Sequence, residues 1–204
     1  MKMLRNGVLI VMLGLVASGC YVQSLNVFYT DDVKVDLREI AGDWKPEIQT
    51  GESVTNKQIT SWKFTTNTVE TYDGDNIYSE LKTVYFKVAG TYFMDFTAGD
   101  LSKGDKGNVF NGFWAAGIAP VHSLCKVDIK GDRLTLIPPD AKWFTDRIEK
   151  KKGRLSLSYV KSMDDSGNCI FTATPKEWVA FLKKYKDSEE VFNPKGIFVF
   201  TRKE

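Results

Sequence analysis

The stretch SELKTVYFKVAGTYFMDFT, residues 79–97, decides the fold class. Two runs rich in β-branched and aromatic residues flank Ala89-Gly90, the pattern of two antiparallel strands joined by a two-residue turn. Period-two alternation puts Tyr92, Met94 and Phe96 on one face of the second run. Val84, Phe86 and Val88 read as the matching face of the first. Asp95 falls on the opposite side, where it reads as solvated or paired with a cross-strand lysine such as Lys87 or Lys63.

The same alternation extends outward. Residues 58–66 place Thr60, Trp62 and Phe64 on one side, and 69–72 form a short strand before the turn Asp73-Gly74-Asp75-Asn76. Beyond the hairpin, residues 98–112 (AGDLSKGDKGNVFNG) read as a long loop. A strand runs to Ile129 and turns at Lys130-Gly131-Asp132 into Arg133–Ile137. Leu155, Leu157 and Tyr159 mark another, Asp164–Asn168 a turn, Cys169–Thr172 a short strand, and Ile197–Arg202 the last. Helices are expected over Asp140–Lys152, with Trp143, Phe144 and Ile148 inward, and after Thr174-Pro175-Lys176-Glu177, a capping box with proline at the first helical position. Asp36-Leu37-Arg38-Glu39 has the capping-box form and predicts one short turn before Gly42-Asp43-Trp44. The result is a mainly β chain, an antiparallel barrel of about 8–10 strands with two helices late in the chain and no alternation favouring a parallel sheet. With 204 residues, 43% of them hydrophobic and 26% charged, disordered and collagen-like architectures are excluded.

The first residues have a separate purpose. Lys2 and Arg5 precede an apolar run from Gly7 to Val16, and small residues follow to Gly19, the layout of a secretory signal peptide. The run is too short to span a bilayer, which takes about 20 residues. Without Lys2 and Arg5 the 28 basic residues fall to 26, equal to the 26 acidic ones, so a clustered positive excess for nucleic acid is missing. The organisation expected is a signal over 1–19, a lipid-anchor tether over 20–35, and one domain over 36–204. The tether holds Tyr21, Val22, Leu25, Val27, Phe28 and Tyr29, so it either packs on the domain or lies at the lipid surface.

Val16-Ala17-Ser18-Gly19-Cys20 resembles the lipobox of bacterial lipoproteins. The resemblance implies cleavage after Gly19, lipidation of Cys20, and a membrane-anchored protein of the cell envelope. Tyr21 rather than Asp after the cysteine implies the outer membrane, facing the periplasm. Gly42-Asp43-Trp44 after its short turn resembles the Gly-x-Trp start of the lipocalin superfamily. That resemblance implies an eight-stranded up-and-down barrel in which a late basic residue, Arg202 or less readily Arg154, covers the ring of Trp44. The chain from Ser24 to Arg202 is also similar to a group of uncharacterised bacterial lipoproteins, on Ser24-Leu25-Asn26, Phe28-Tyr29-Thr30, Gly42-Asp43-Trp44, Ala119-Pro120-Val121-His122-Ser123 and the capped helix from Thr174. That group contributes no reaction.

No catalytic or metal constellation emerges. His122, the single histidine, stands beside Ser123 and three residues before Cys125, but strand neighbours diverge and no hydrolase signature accompanies them. Cys125 and Cys169 could bridge, closing a loop that loop entropy values at about 3–4 kcal/mol, or could be two buried apolar residues. The Asp/Asn/Gly turns lack the spacing of a calcium loop. Lys150-Lys151-Lys152 reads as a solvated helix end. Trp62, Phe64, Phe86, Tyr92, Phe96 and Tyr159 fall on expected inner faces, where they either fill the barrel or line an apolar pocket. The expected function is a non-enzymatic binding protein for a small apolar or amphiphilic, lipid-like ligand, without cofactor. The alternative is a packed barrel acting through its surface on a protein partner.

Overall fold

The computed structural model describes residues 22–47, 59–99, 121–149, 155–161, 169–193 and 197–203. Its elements run β1 (Gln23–Ser24), β2 (Gly42–Pro46), β3 (Ser61–Phe64), β4 (Thr68–Asp73), β5 (Asn76–Val88), β6 (Thr91–Ala98), β7 (His122–Lys130), β8 (Arg133–Ile137), α1 (Ala141–Glu149), β9 (Tyr159–Lys161), β10 (Cys169–Phe171), α2 (Pro175–Tyr185) and β11 (Phe198–Arg202). Strands β2 to β8 pair in chain order and β11 inserts between β8 and β2, which closes an eight-stranded antiparallel barrel. Closure leaves these strands no free edge. The other three strands form a side ribbon. β1 pairs antiparallel with the start of β7 and parallel with β10, and β10 pairs antiparallel with β9.

The β5–β6 hairpin turns on Ala89 (φ 47°) and Gly90 (φ 88°), both left-handed, as a tight turn between right-twisted strands requires. Val88 therefore pairs with Thr91, Tyr85 with Met94 and Phe86 with Phe93. Residues directly opposite share a face. Tyr85, not Val84 or Phe86, thus joins Met94 inside the barrel, and the expected inner face of the first strand is corrected by one residue. The sequence could not reveal this because β5 is apolar on both faces here, and both faces are buried.

There are two cores. Inside the barrel lie Trp44, Phe64, Val69, Tyr85, Met94, Cys125, Val127, Leu134, Leu136 and Phe200, with Leu37 and Ile40 beneath. Against the outer wall pack Phe28, Phe86, Val88, Phe93, Leu124, Phe144, Phe171, Trp178, Phe181 and Phe192. Helix α2 starts on the expected capping box: the Thr174 hydroxyl accepts the Glu177 N–H and the Glu177 carboxylate accepts the Thr174 N–H at 2.7 Å. That charge-assisted bond pulls the Glu177 carboxyl below its ordinary range. The turn before Gly42 is also present, over Arg38–Ile40, but its cap makes no side-chain hydrogen bond; Asp36 instead accepts from Arg38 Nε at 2.6 Å.

Residues 22–34, expected as a tether, are part of the domain. They strap the outer wall diagonally from β7 to β5. Ser24 and Phe28 are completely buried, Trp178 Nε1 donates to Ser24 Oγ at 3.2 Å, and Asn26 Nδ2 donates to the carbonyls of Thr172 and Ala173. Packing of Val22, Phe28, Tyr29 and Val33 on a barrel wall offsets the ordering entropy of so short a segment. Cys20, residues 100–112, Lys150–Lys152, Arg154 and the turn at 164–168 lie outside the described residues. Among those described, no helix is long and apolar enough to cross a membrane.

Candidate functional site

The two ends of the barrel differ. At the end where β2 begins, Trp44 is fully buried and its Nε1 donates to the Ile40 carbonyl at 2.8 Å. The Arg202 guanidinium lies 4.3 Å from the centre of the Trp44 ring and donates to the carbonyls of Ala41 (2.8 Å) and Glu39 (2.7 Å). Gly42 makes room for it: at φ +138°, a Cβ there would stand 2.6 Å from Arg202 Nη1. Arginine, planar and multidentate, suits this double role of stacking and tying two carbonyls. This end is sealed.

The opposite rim is formed where β3, β7 and β11 begin. Trp62, Leu81 and Phe96 face inward there and remain partly exposed. Phe198, on the inward parity of β11, is 39% exposed. Trp62 stacks on Phe64 at a centroid distance of 6.1 Å and meets Phe200 at a tilt, 5.2 Å away. Polar groups interleave with them. The Thr71 and Ser79 hydroxyls share a 2.6 Å hydrogen bond, and Ser123 is buried nearby in the inward row of β7. Deeper, the Thr83 and Tyr85 hydroxyls are buried with no hydrogen-bond partner. Burial pushes the Tyr85 phenol up to about 12, with the neighbouring Thr83 hydroxyl opposing. Unpartnered hydroxyls in an apolar interior are expensive and rare.

Four of the six aromatics singled out from the sequence, Trp62, Phe64, Tyr92 and Phe96, belong to the barrel interior. Phe86 and Tyr159 do not: both pack in the outer core, Phe86 by the register of the hairpin and Tyr159 because β9 lies in the side ribbon. Sequence reading passed over Tyr85, Thr83 and Phe198. The residue-by-residue alternation of Ser79, Leu81, Thr83 and Tyr85 could have disclosed the row, had the polar members not concealed it. The cysteines do not bridge. Cys125 is inside the barrel, while Cys169 packs against the outer core two strands away across β1. Two strand spacings are about 10 Å, beyond disulfide reach. Burial pushes both thiols up.

Compared with family models, curated proteins and solved structures, this chain matches none.

Asp95 is neither solvated nor paired with lysine. It is 3% exposed on the outer wall beneath the strap. Its Oδ2 accepts the Phe28 N–H at 3.0 Å and its Oδ1 lies 2.7 Å from His122 Nδ1. The hydrogen bond to Asp95 raises the His122 pKa above its ordinary value, against an opposing contribution from burial. The pair is a clamp between strap and barrel. It resembles two members of a hydrolytic triad, but the serine opposite His122 in the β1–β7 register, Ser24, is fully buried and engaged by Trp178 and Asn26. A nucleophile must reach its substrate, so this arrangement is structural. Among the described residues no three His, Cys, Asp or Glu side chains converge to hold a metal ion.

Proposed function

We propose that the chain is a lipid-anchored protein of the bacterial cell envelope, tethered at Cys20 and facing the periplasm from the outer membrane. It holds a small amphiphilic ligand at the open rim of its barrel without chemical conversion. The observation that carries the reading is the asymmetry of the barrel. One end is sealed by Trp44 and Arg202, while Trp62, Leu81, Phe96 and Phe198 remain partly exposed at the other. Apolar side chains beside a few polar groups are the common lining of a small-molecule site. The Thr71–Ser79 pair, and the unpaired hydroxyls of Thr83 and Tyr85 below it, offer donors to a polar head group.

Native mass spectrometry of gently purified protein tests this. A stoichiometric extra mass, lost in a Trp62→Ala, Phe96→Ala variant that keeps its fold, supports the ligand. A bare protein mass that does not change on incubation with envelope lipids rejects it. The second reading, a filled barrel acting through its surface on a protein, is favoured by one observation: Phe64, Tyr85 and Phe200 in mid-barrel are 1% exposed. Under that reading, crosslinking in intact cells captures a specific protein partner and the rim variant has no consequence.

A further inference from the structure

The side ribbon has two unlike faces. Ser24, Phe171 and Tyr159 are in register across β1, β10 and β9 and turn toward the outer core. The alternate row, Gln23, Ile170 and Val160, is likewise in register and turns away from the outer core, on the face that Ser123 occupies in β7. Leu25, one residue past β1, Thr172, one past β10, and Ser158, one before β9, extend that row, and the Leu25–Phe171 and Thr172–Ser158 backbone hydrogen bonds continue the pairing. Leu25, Val160 and Ile170 are 46%, 61% and 36% exposed. The six residues of this face include no charge, in a chain where charged residues make up 26%. Three exposed aliphatic side chains, together and without a charge, form a surface that water disfavours and a polar partner does not match.

The spacing in sequence between Cys20 and Val22 says what covers it. Only Tyr21 separates Cys20 from Val22, which is 3% exposed and packed in the outer core. Two residues of chain reach at most about 7 Å. The strap that follows is held by the Trp178–Ser24, Asn26–Thr172, Asn26–Ala173 and Phe28–Asp95 hydrogen bonds, so it has no slack to release. An acyl-bearing Cys20 therefore cannot let the barrel float at a distance. It draws the wall beside β1 onto the bilayer.

We propose that the uncharged face formed by Gln23, Leu25, Ser158, Val160, Ile170 and Thr172 is a membrane-contact face, resting on the lipid surface in which Cys20 is anchored. This rests on the lipid-anchor reading given above. Leu25, Val160 and Ile170 dip into the interfacial zone, and the polar Gln23, Ser158 and Thr172 meet head groups. The ribbon joins β7 at His122 and Ser123, where that strand begins at the rim proposed above to hold the ligand. The contact thus puts the barrel mouth at the level of the membrane, within reach of amphiphiles that partition there.

The test uses the full, lipid-modified chain on vesicles of phosphatidylethanolamine and phosphatidylglycerol. p-Benzoylphenylalanine is placed at position 160, at 170, or at the exposed Lys63 position on β3 as control, and irradiated. The mass of the N-terminal peptide establishes the acylation of Cys20 in the same samples. With Cys20 acylated, phospholipid adducts at 160 and 170 at least ten-fold above position 63 support the proposal. Adducts no more frequent than at position 63, or adducts to protein instead of lipid, overturn it while leaving the anchor intact. An unmodified Cys20 overturns the anchor reading and this proposal with it. All three positions are exposed, so the substitutions leave the cores untouched.

Discussion

Replacing Tyr85 with Phe should make the protein more stable, although it deletes a polar group from a conserved-volume site. The Tyr85 ring is 1% exposed inside the barrel and its hydroxyl has no partner. In the unfolded chain that hydroxyl is hydrated, and on folding its water is lost without replacement, at a cost of about 1–3 kcal/mol. Phenylalanine keeps the ring contacts and removes the cost. For a chain of this length each kcal/mol is worth about 2–4 °C in Tm, so calorimetry should show the Tm of Tyr85→Phe raised by roughly 2–12 °C. Thr83→Val should act in the same direction, and the pair should not add fully because the two hydroxyls are neighbours. A second signature is alkaline. The folded phenol is raised to about 12 from 10, so the unfolded state ionises first and stability falls as pH rises between those values. At about 1.4 kcal/mol per unit, Tyr85 contributes on the order of 2–3 kcal/mol to that loss, and Tyr85→Phe should be flatter than wild type over the same range. If Tyr85→Phe instead loses 1 kcal/mol or more, the hydroxyl has a partner in solution and the reasoning about an unmet interior donor is wrong.

Other outcomes follow from the same structure. Gly42→Ala should destabilise by about 2–4 kcal/mol, since its Cβ would expel Arg202 from the Trp44 ring and from two carbonyls; urea unfolding checks it, and a change under 0.5 kcal/mol means Arg202 relocates freely. Asp95→Ala should cost about 3 kcal/mol by stranding the Phe28 N–H and His122, and should expose the strap to protease near residues 25–27, which sequencing of the cleavage products would reveal. His122 has a raised pKa in the folded state, so its contribution is full below pH 6.5 and is lost as pH rises through the raised value. Melting curves between pH 5.5 and 8.5 should show this slope in wild type and not in His122→Gln; equal slopes would remove the clamp from the account. Alkylation after denaturation without reductant should find both Cys125 and Cys169 as free thiols, whereas in the folded protein Cys125 should resist reagents; a recovered disulfide peptide would contradict the separation of the two cores.

What the sequence determined by itself is local. Two-residue turns such as Ala89-Gly90 and Gly131-Asp132 punctuate alternating runs, and a turn needs only its own φ angles to form. The Thr174–Glu177 capping box likewise closes within one helical turn, so its residues disclose it without any partner. Short strands at regular spacing then leave a barrel as the way to satisfy their edges. Tertiary structure alone decided the rest. Which face of β5 looks inward depends on a second core laid over the outer wall, and a strand buried on both sides has no alternation to read. The partner of Asp95 stands 27 residues away on β7 and Phe28 stands 67 residues away on the strap. The separation of Cys125 from Cys169 depends on the intervening β1. The rim row, with Phe198 added to Trp62 and Phe96, exists only once β11 returns past two helices to close the barrel. Periodicity records how each segment meets its surroundings on average, while a site is made of contacts between segments, and those are set by register and closure.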